Sequence, residues 1–548
     1  MNNKLRINYN NLINYSIGFF LILTYFLGLI VPVTSDAGKY AAISRIIYET
    51  GDWITLKIHF EPYLQKPPLI FWITTPFYFI FGPTTFAFKL PVLLYSSIAV
   101  YSTYRFAKLF YSKRIAKIAA VMLATSEFYF LFHNDIHTDC LLTANVIFSV
   151  WQLAEYIKSK KLVNMLLAGL GIGLGLISKG PIGVFVPVIA ALSHLIYKKQ
   201  IKLIFNYKVV LGAFISLLVL AAGLTGIFKQ FGWEGLKFFF WDNNAGRISG
   251  KIKGGSTDYL FYFHTTLYIF LPWAILFFIG LFMEFKNLFK TKLPELFSLG
   301  GIFFYWIIIS IASAKAPHYF MVLSPFMSLL SAKWLLYFFE EKTSLKMQKI
   351  IIGIQRFVCI ILWIILFSLC IYFFPSKNIF FWLGITVLLF LFFLTGKLNN
   401  MLSRILLQSV ISIVALNFAI NVHLFPQIFT YQSVIPACNV FNEKANTGEM
   451  LNTYNSEHRE LFFYAKNPGH FLYDSEDLEI CLKRKNDWIF TDDEGLKEIE
   501  QSTAKIKLIQ SFKHRSLSKL TPGFINPATR AQRLKNMHLI KIIEPAGE

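Results

Sequence analysis

The stretch Val33–Trp72, VTSDAGKYAAISRIIYETGDWITLKIHFEPYLQKPPLIFW, is the first polar segment after a long apolar run. It carries Asp36, Lys39, Arg45, Glu49, Asp52, Glu61 and Lys66 and closes on the stiff corner Pro67-Pro68. Almost everything around it is apolar. Ionisable groups held at membrane level mark functional sites by default, and the proline corner fixes how the segment re-enters. The plainer alternative is an ordinary solvated loop.

Composition sets the class. The chain has 548 residues, 55% hydrophobic and 15% charged, with 58 Phe and 26 Tyr; a soluble domain carries about 25% charged residues. Backbone that spans a bilayer must satisfy its own hydrogen bonds, so we expect an all-α polytopic membrane protein. Lys4 and Arg6 precede an apolar run from Leu12 to Val33 with no evident small-residue cleavage site, which reads as a retained first helix with its N-terminus inside. Apolar runs then recur to Val422, about thirteen spans in all. Ile70–Phe81 is too short to span and reads as an interfacial segment.

The formal net charge of +22 raises nucleic acid as a partner. The Lys and Arg, however, gather in alternate loops, such as Lys198, Lys199, Lys202 and Lys208, or Lys286, Lys290 and Lys292. That is the positive-inside pattern, and it argues for membrane lipids and against nucleic acid.

The outer loops hold different chemistry: Asp36, Lys66, Asp135, Asp139, Lys179, Arg247, Lys251, Lys253, Lys315 and His318. A carboxylate such as Asp36 can take a proton from a hydroxyl or stabilise a forming sugar cation; it can equally cap a helix over Ala37–Tyr48. In His133-Asn134-Asp135-Ile136-His137-Thr138-Asp139, alternate side chains of an extended segment point one way. That offers a hard or borderline divalent metal site at Asp135 and His137, against a hydrated turn with Asp139 capping the next helix. Lys179 and Lys315 each precede a proline corner. With Arg247 they can hold phosphate oxygens, or each can snorkel to lipid headgroups. Gly169–Gly180 lacks phosphate-loop spacing and lies within a span; its glycines read as close helix-packing positions.

Taken together, Asp36-x-x-Lys39-Tyr40, Gly51-Asp52-Trp53 and Lys66-Pro67-Pro68-Leu69-x-x-Trp72 resemble the first outer loop of the bacterial lipid A aminoarabinose transferases, which group with the dolichyl-phosphate-mannose protein mannosyltransferases. Thr138-Asp139-x-Leu141-Leu142, Ser178-Lys179-Gly180-Pro181, Asn244-x-x-Arg247, Leu271-Pro272-Trp273 and Ser313-x-Lys315-x-Pro317-x-Tyr319 extend the resemblance over roughly residues 1–340. It implies a GT-C fold glycosyltransferase of the bacterial inner membrane. Such an enzyme moves a sugar from a polyprenyl (undecaprenyl) phosphate carrier to lipid A or a related envelope acceptor on the periplasmic face. A protein O-mannosyltransferase-like enzyme and a polyprenyl-lipid transporter are the alternatives. By position, Asp36 and Asp139 are the implied catalytic carboxylates, and Lys39, Tyr40, Lys66, Lys179, Arg247, Lys315 and Tyr319 the substrate-binding residues. Departures are Ala37, Lys39 where Arg is usual, and Gln65 where Glu is usual, which removes a metal ligand. His264 stands nearest to the long-loop His of those enzymes but inside an expected span. No cofactor is required by the pattern beyond a candidate divalent metal at Asp135, His137 or His264.

The expected organisation is a transmembrane catalytic domain over 1–424, with periplasmic loops 33–83 and 229–258, and a periplasmic α/β domain over 425–548. In that tail Leu461–Tyr464, Trp488–Thr491, Ile506–Phe512 and His538–Ile543 read as strands and Asp492–Gln501 as a helix. Cys438 and Cys481 lie there in an oxidising compartment, where a disulfide is open to them.

Overall fold

The computed structural model describes residues 2–243, 246, 258–340, 345–456, 458–516 and 520–547. Among the described residues before 420, seventeen helices form the membrane part: α1 (Asn2–Gly28), α2 (Ser35–Thr50), α3 (Leu69–Phe81), α4 (Thr85–Phe110), α5 (Lys113–Ala124), α6 (Glu127–Asn134), α7 (Thr138–Ser159), α8 (Leu162–Lys179), α9 (Ile182–Tyr197), α10 (Tyr207–Lys237), α11 (Phe261–Ile269), α12 (Ala274–Leu288), α13 (Phe297–Ile311), α14 (Ser324–Glu340), α15 (Leu345–Phe367), α16 (Ile379–Thr395) and α17 (Met401–Ala419). Among the described residues, nine helical stretches are long and apolar enough to cross a membrane. They coincide with nine of the anticipated spans. Three more anticipated spans fall on the shorter apolar helices α9, α13 and α16. The apolar run over Tyr259–Met283, expected as a single span, is split into α11 and α12 around Pro272, where proline removes a backbone donor from the helical ladder.

The first outer segment is mostly helix rather than loop. Thr34 is the extended residue before α2, and Gly51, at φ 69°, ends it in the left-handed conformation that favours glycine. Asp36 therefore sits in the first turn and is not the cap. Asp52 then folds the chain back by accepting from the Ile54 and Thr55 amides. A two-residue hairpin, β1 (Lys57–Ile58) with β2 (Glu61–Pro62), follows, and Pro67-Pro68 delivers the chain into α3. The Trp72 indole donates to the Trp53 carbonyl at 2.8 Å, tying the two ends of the excursion together.

The glycine run in α8 is a packing surface. A Cβ on Gly169 would sit 2.1 Å from the Gly212 carbonyl of α10, and one on Gly171 would sit 2.4 Å from Ser149 Oγ of α7. Small residues let three helix backbones approach this closely, and that contact aims the C-terminal end of α8 at the outer site. Of the loop expected at 229–258, residues 229–242 are helical. Helix α10 runs on to Lys237 through a kink at Gly232 (φ 58°), and helical turns continue to Asp242.

Beyond α17 the helical run reaches Phe429. The tail then forms a five-stranded sheet from β3 (Leu451–Tyr454), β4 (Pro468–Leu472), β5 (Trp488–Asp492), β6 (Lys505–His514) and β7 (Lys535–Glu544), in the order β4-β3-β5-β7-β6. β3 is parallel to β4 and β5; β7 is antiparallel to β5 and β6. Ile489, Ile499, Ile540 and Ile542 make its own small core. Asp493–Glu500 is helical as expected. Leu461–Tyr464 is a helical turn and not a strand. Its Leu461, Phe462 and Phe463 are all buried, so there is no in-and-out alternation for a half-buried strand to use.

That turn is the docking point of the tail on the membrane part. The Arg45 guanidinium of α2 donates to the carbonyls of Phe463 (3.1 Å), Ala465 (2.6 Å) and Lys466 (3.1 Å), the groups a helix end leaves unpaired. The Tyr464 hydroxyl both donates to the Val33 carbonyl and accepts from the Val33 amide. Cys438 and Cys481 are both free and buried; the first packs in the core shared with the membrane helices, the second in the sheet's own core.

Candidate functional site

Three segments far apart in sequence converge at one end of the bundle: the start of α2 with the Gln65-Lys66 corner, the α6–α7 junction with the end of α8, and Pro317–Leu323 before α14. Between them lies a cleft of about 240 Å³, lined by Gln65, Lys66, Lys179, Phe185, Ile309 and Tyr319, among others. Its polar end carries two ammonium groups. Its other walls are apolar side chains of α9 and α13.

Asp36 presents a half-exposed carboxylate, 48% accessible, whose Oδ1 accepts from Lys39 Nζ at 2.7 Å. Lys39 also reaches Gln65 Oε1 at 3.4 Å and lies over the rings of Tyr40 and Tyr63. Burial works against charge on Asp36, but the Lys39 ammonium, with His137 and Lys66 behind it, outweighs that and holds the carboxyl below its usual value. Asp36 is thus an ionised carboxylate at neutral pH, ready to accept a hydrogen bond or a proton.

Asp139, in the first turn of α7, is buried and accepts from Lys179 Nζ at 2.5 Å. Lys179 Nζ also lies 4.2 Å from the centre of the Tyr319 ring, and Tyr305 fixes that segment by donating to the Tyr319 carbonyl at 3.0 Å. The end of α8 is held in turn by Asn145 Nδ2 donating to Ser178 Oγ and by Tyr95 donating to Asn145. Gly180, at φ 100°, then lets the chain turn immediately after Lys179.

Several sequence expectations change here. Asp139 is not a helix cap, because His137 occupies that position. The segment from His133 to Asp139 is not extended: His133 and Asn134 end α6 and are buried. Only His137 and Asp139 reach the site, and Asp135 stands behind His137, its Oδ2 3.1 Å from His137 Nε2. Burial opposes charge on His137, but Asp135, Asp139 and Asp36 outweigh it and raise its pKa. Tyr40 is buried with its ring edge on Phe71 and orders the segment from beneath. Lys315 donates to the Ala312 carbonyl and faces the Tyr259 ring at 5.7 Å. His264 pairs with Asp258 at 2.6 Å and lies outside the group formed around His137. Arg247, Lys251 and Lys253 lie outside the described residues.

The sequence reading passed over His318 as a ligand. Its ring stacks on His137 with centroids 4.2 Å apart and planes 13° apart. The signal was its place between Pro317 and Tyr319, but nothing local said which residue it would meet.

A multi-pass helical membrane bundle with a small C-terminal sheet is the GT-C fold. Residues 65–224 match the family model of the dolichyl-phosphate-mannose-protein mannosyltransferases. The chain is similar in sequence to bacterial aminoarabinose transferases. It is 26% identical over 328 residues to the undecaprenyl phosphate-alpha-4-amino-4-deoxy-L-arabinose arabinosyl transferase of Yersinia enterocolitica, covering 57% of this chain and 58% of that one. A second such transferase, from Proteus mirabilis, is 26% identical over 332 residues, 58% of each chain. The match thus spans rather more than half the length of these relatives. In three dimensions the chain is similar to ArnT from Cupriavidus metallidurans bound to undecaprenyl phosphate. The TM-score is 0.73 at 15% identity, over 96% of this chain and 97% of that one.

Proposed function

We propose that the protein is a glycosyltransferase of the bacterial inner membrane that moves a pentose- or hexose-type sugar from a polyprenyl phosphate to a lipid A-like envelope acceptor. The observation that carries this is the cleft itself. Two lysines, Lys66 and Lys179, face an apolar wall of α9 and α13, with the ionised Asp36 beside them. A lipid phosphate needs that pairing of cations and hydrocarbon, and a transferase needs in addition a carboxylate next to the phosphate.

In the reaction the bond between the anomeric carbon and the phosphate oxygen breaks. A new bond forms between that carbon and an acceptor hydroxyl oxygen. The acceptor proton passes to Asp36, and the carrier leaves as the polyprenyl phosphate. Lys66 and Lys179 offset the charge that builds on the leaving phosphate, which is where fixed cations lower a barrier most. Asp36 contributes as a general base, an effect of typically 10²–10⁴-fold. Asp139 acts through Lys179, holding its ammonium in place. The site faces the periplasm, the N-terminus lies in the cytoplasm and the C-terminal sheet packs over the outer end of the bundle.

The test is transfer of radiolabel from a synthetic polyprenyl-phosphate pentose or hexose by purified protein in nanodiscs. Label appearing in added lipid A-type acceptor supports the reading. Label appearing in added protein instead would overturn the lipid acceptor, and binding of the carrier without any transfer would overturn the enzyme reading in favour of a lipid transporter.

A further inference from the structure

Asp36 stands at a helix start that its own neighbours do not secure. Thr34, the extended residue before α2, caps no amide with its side chain, although the first amides of a helix have no partner within it. Ser35, immediately before Asp36, lies at φ 54°, in the left-handed region that a residue with a Cβ enters at a cost. Such a residue persists only where its surroundings fix it. Ser35 is exposed, so its own side chain does not do so.

The fixing comes from the far end of the chain. The Tyr464 hydroxyl donates to the Val33 carbonyl at 2.9 Å and accepts from the Val33 amide at 2.7 Å. Both backbone groups of the residue two before Ser35 thus close on one oxygen of the tail. Further along α2, a Cβ on Gly38 would sit 2.4 Å from Glu460 Cβ, so helix and tail meet there with no room for a side chain between them. Glu460 is itself held, its Oε1 3.0 Å from His458 Nδ1. Beyond it Arg45 binds the carbonyls of Phe463, Ala465 and Lys466. The tail therefore grips the segment from Val33 to Arg45, with Asp36 and Lys39 inside the grip.

We infer that Tyr464 is a positioning residue for Asp36: its hydroxyl locks the Val33–Ser35 approach and so keeps the carboxylate on Lys39 and beside the cleft. The inference rests on the role proposed for Asp36. It makes the C-terminal tail part of the reacting unit, through a contact that spans 431 residues of sequence. Without the hydroxyl, Val33 is released, Ser35 relaxes from its left-handed conformation, and the first turn of α2 frays. That turn sets Asp36 at 2.7 Å from Lys39. Arg45 and the Gly38–Glu460 contact keep the tail docked meanwhile, so the effect of the hydroxyl is separable from loss of the tail.

The test compares wild type, Tyr464→Phe, Asp36→Asn and the double variant as full-length protein in nanodiscs preloaded with labelled carrier. It reads single-turnover transfer, carrier binding, limited proteolysis and hydrogen exchange over residues 33–38. Tyr464→Phe is expected to bind carrier and resist protease as the wild type does, with faster exchange over 33–38. Its transfer is expected to be about 10-fold slower, the scale of one or two lost hydrogen bonds. In the Asp36→Asn background, adding Tyr464→Phe is expected to cost nothing more, because residues that act through one another are not additive. Adding Ser35→Gly to Tyr464→Phe is expected to restore part of the rate, since glycine takes a positive φ freely. Wild-type transfer and exchange in Tyr464→Phe would overturn the inference, and so would a further 10-fold loss in the Asp36→Asn background. Wild-type transfer by Asp36→Asn alone is the separate failure of the reaction reading; it takes away the group that Tyr464 positions and overturns this inference with it.

Discussion

Two carboxylate–lysine pairs in this bundle look alike in a contact list and differ in kind. Glu284 of α12 gives both oxygens to Lys333 of α14, at 2.7 and 2.6 Å, and accepts the Trp334 indole at 2.9 Å. Its side chain is 2% exposed. Asp36 meets Lys39 through one oxygen and keeps a 48% exposed side chain. The first carboxylate is saturated and closed off, and it staples two helices. The second keeps accepting capacity open beside a cleft. Lys333 lies nine residues into α14, about 14 Å along the helix from the turn that carries Tyr319, at 1.5 Å per residue. The lesson is that the presence of an ion pair says little; what remains unsatisfied, and what that faces, separates a structural pair from a chemical one.

The Asp139–Lys179 pair is the intermediate case, buried like the first and at the cleft like the second. Asp139→Asn is therefore expected to show the largest combined effect. Breaking a buried pair costs about 3–5 kcal/mol, seen as a lower thermal midpoint, and transfer by the folded fraction should fall at least about 100-fold. If either loss appears without the other, Asp139 belongs wholly to one class.

Glu284→Gln is expected to reproduce only the stability loss, again about 3–5 kcal/mol, with the rate per folded molecule retained. A rate loss as large as that of Asp139→Asn would dissolve the distinction.

Arg45→Ala is smaller in reach. It removes the guanidinium from three carbonyls at the tail's docking turn. Hydrogen bonds to a charged group are worth about 1.5–3 kcal/mol. We expect a tail that becomes protease-sensitive before the membrane part does, read by limited proteolysis.

The smallest effect is a shift in pH dependence. The Asp36 carboxyl is held below its ordinary value in the folded protein. A depressed carboxyl favours folding and activity above the unfolded pKa, and that contribution is lost as pH falls through the lower, folded value. Lys39→Met removes the main opposing charge and leaves burial to push the carboxyl up. The acid limb of the pH–rate profile is expected to move to higher pH. An unmoved limb would mean that Asp36 does not set it.

Much of this was legible in the sequence because bilayer physics is strict. Runs of apolar residues, alternating lysine-rich loops and the Pro67-Pro68 corner announced the helices and the exceptional first segment. Asp36, Lys66, Lys179 and Tyr319 came forward by residue type and by resemblance, and the structure brings them to one end of the bundle. What stayed hidden was pairing across the fold. Nothing near Asp139 says that Lys179 will neutralise it, since 40 residues and a helical hairpin lie between them. His318 meets His137 only because the turn before α14 packs on the start of α7. Leu461–Tyr464 misled because a four-residue apolar run carries no period; the deciding partner, Arg45, lies more than 400 residues away.

The most direct measurement is single-turnover transfer by Asp36→Asn in nanodiscs preloaded with the labelled carrier. This account predicts carrier bound as in the wild type, a modestly lowered thermal midpoint from the lost Lys39 pair, and transfer by the folded protein reduced about 10²–10⁴-fold. Transfer at the wild-type rate with the carrier equally bound would contradict it, reducing Asp36 to an ordinary surface residue of α2.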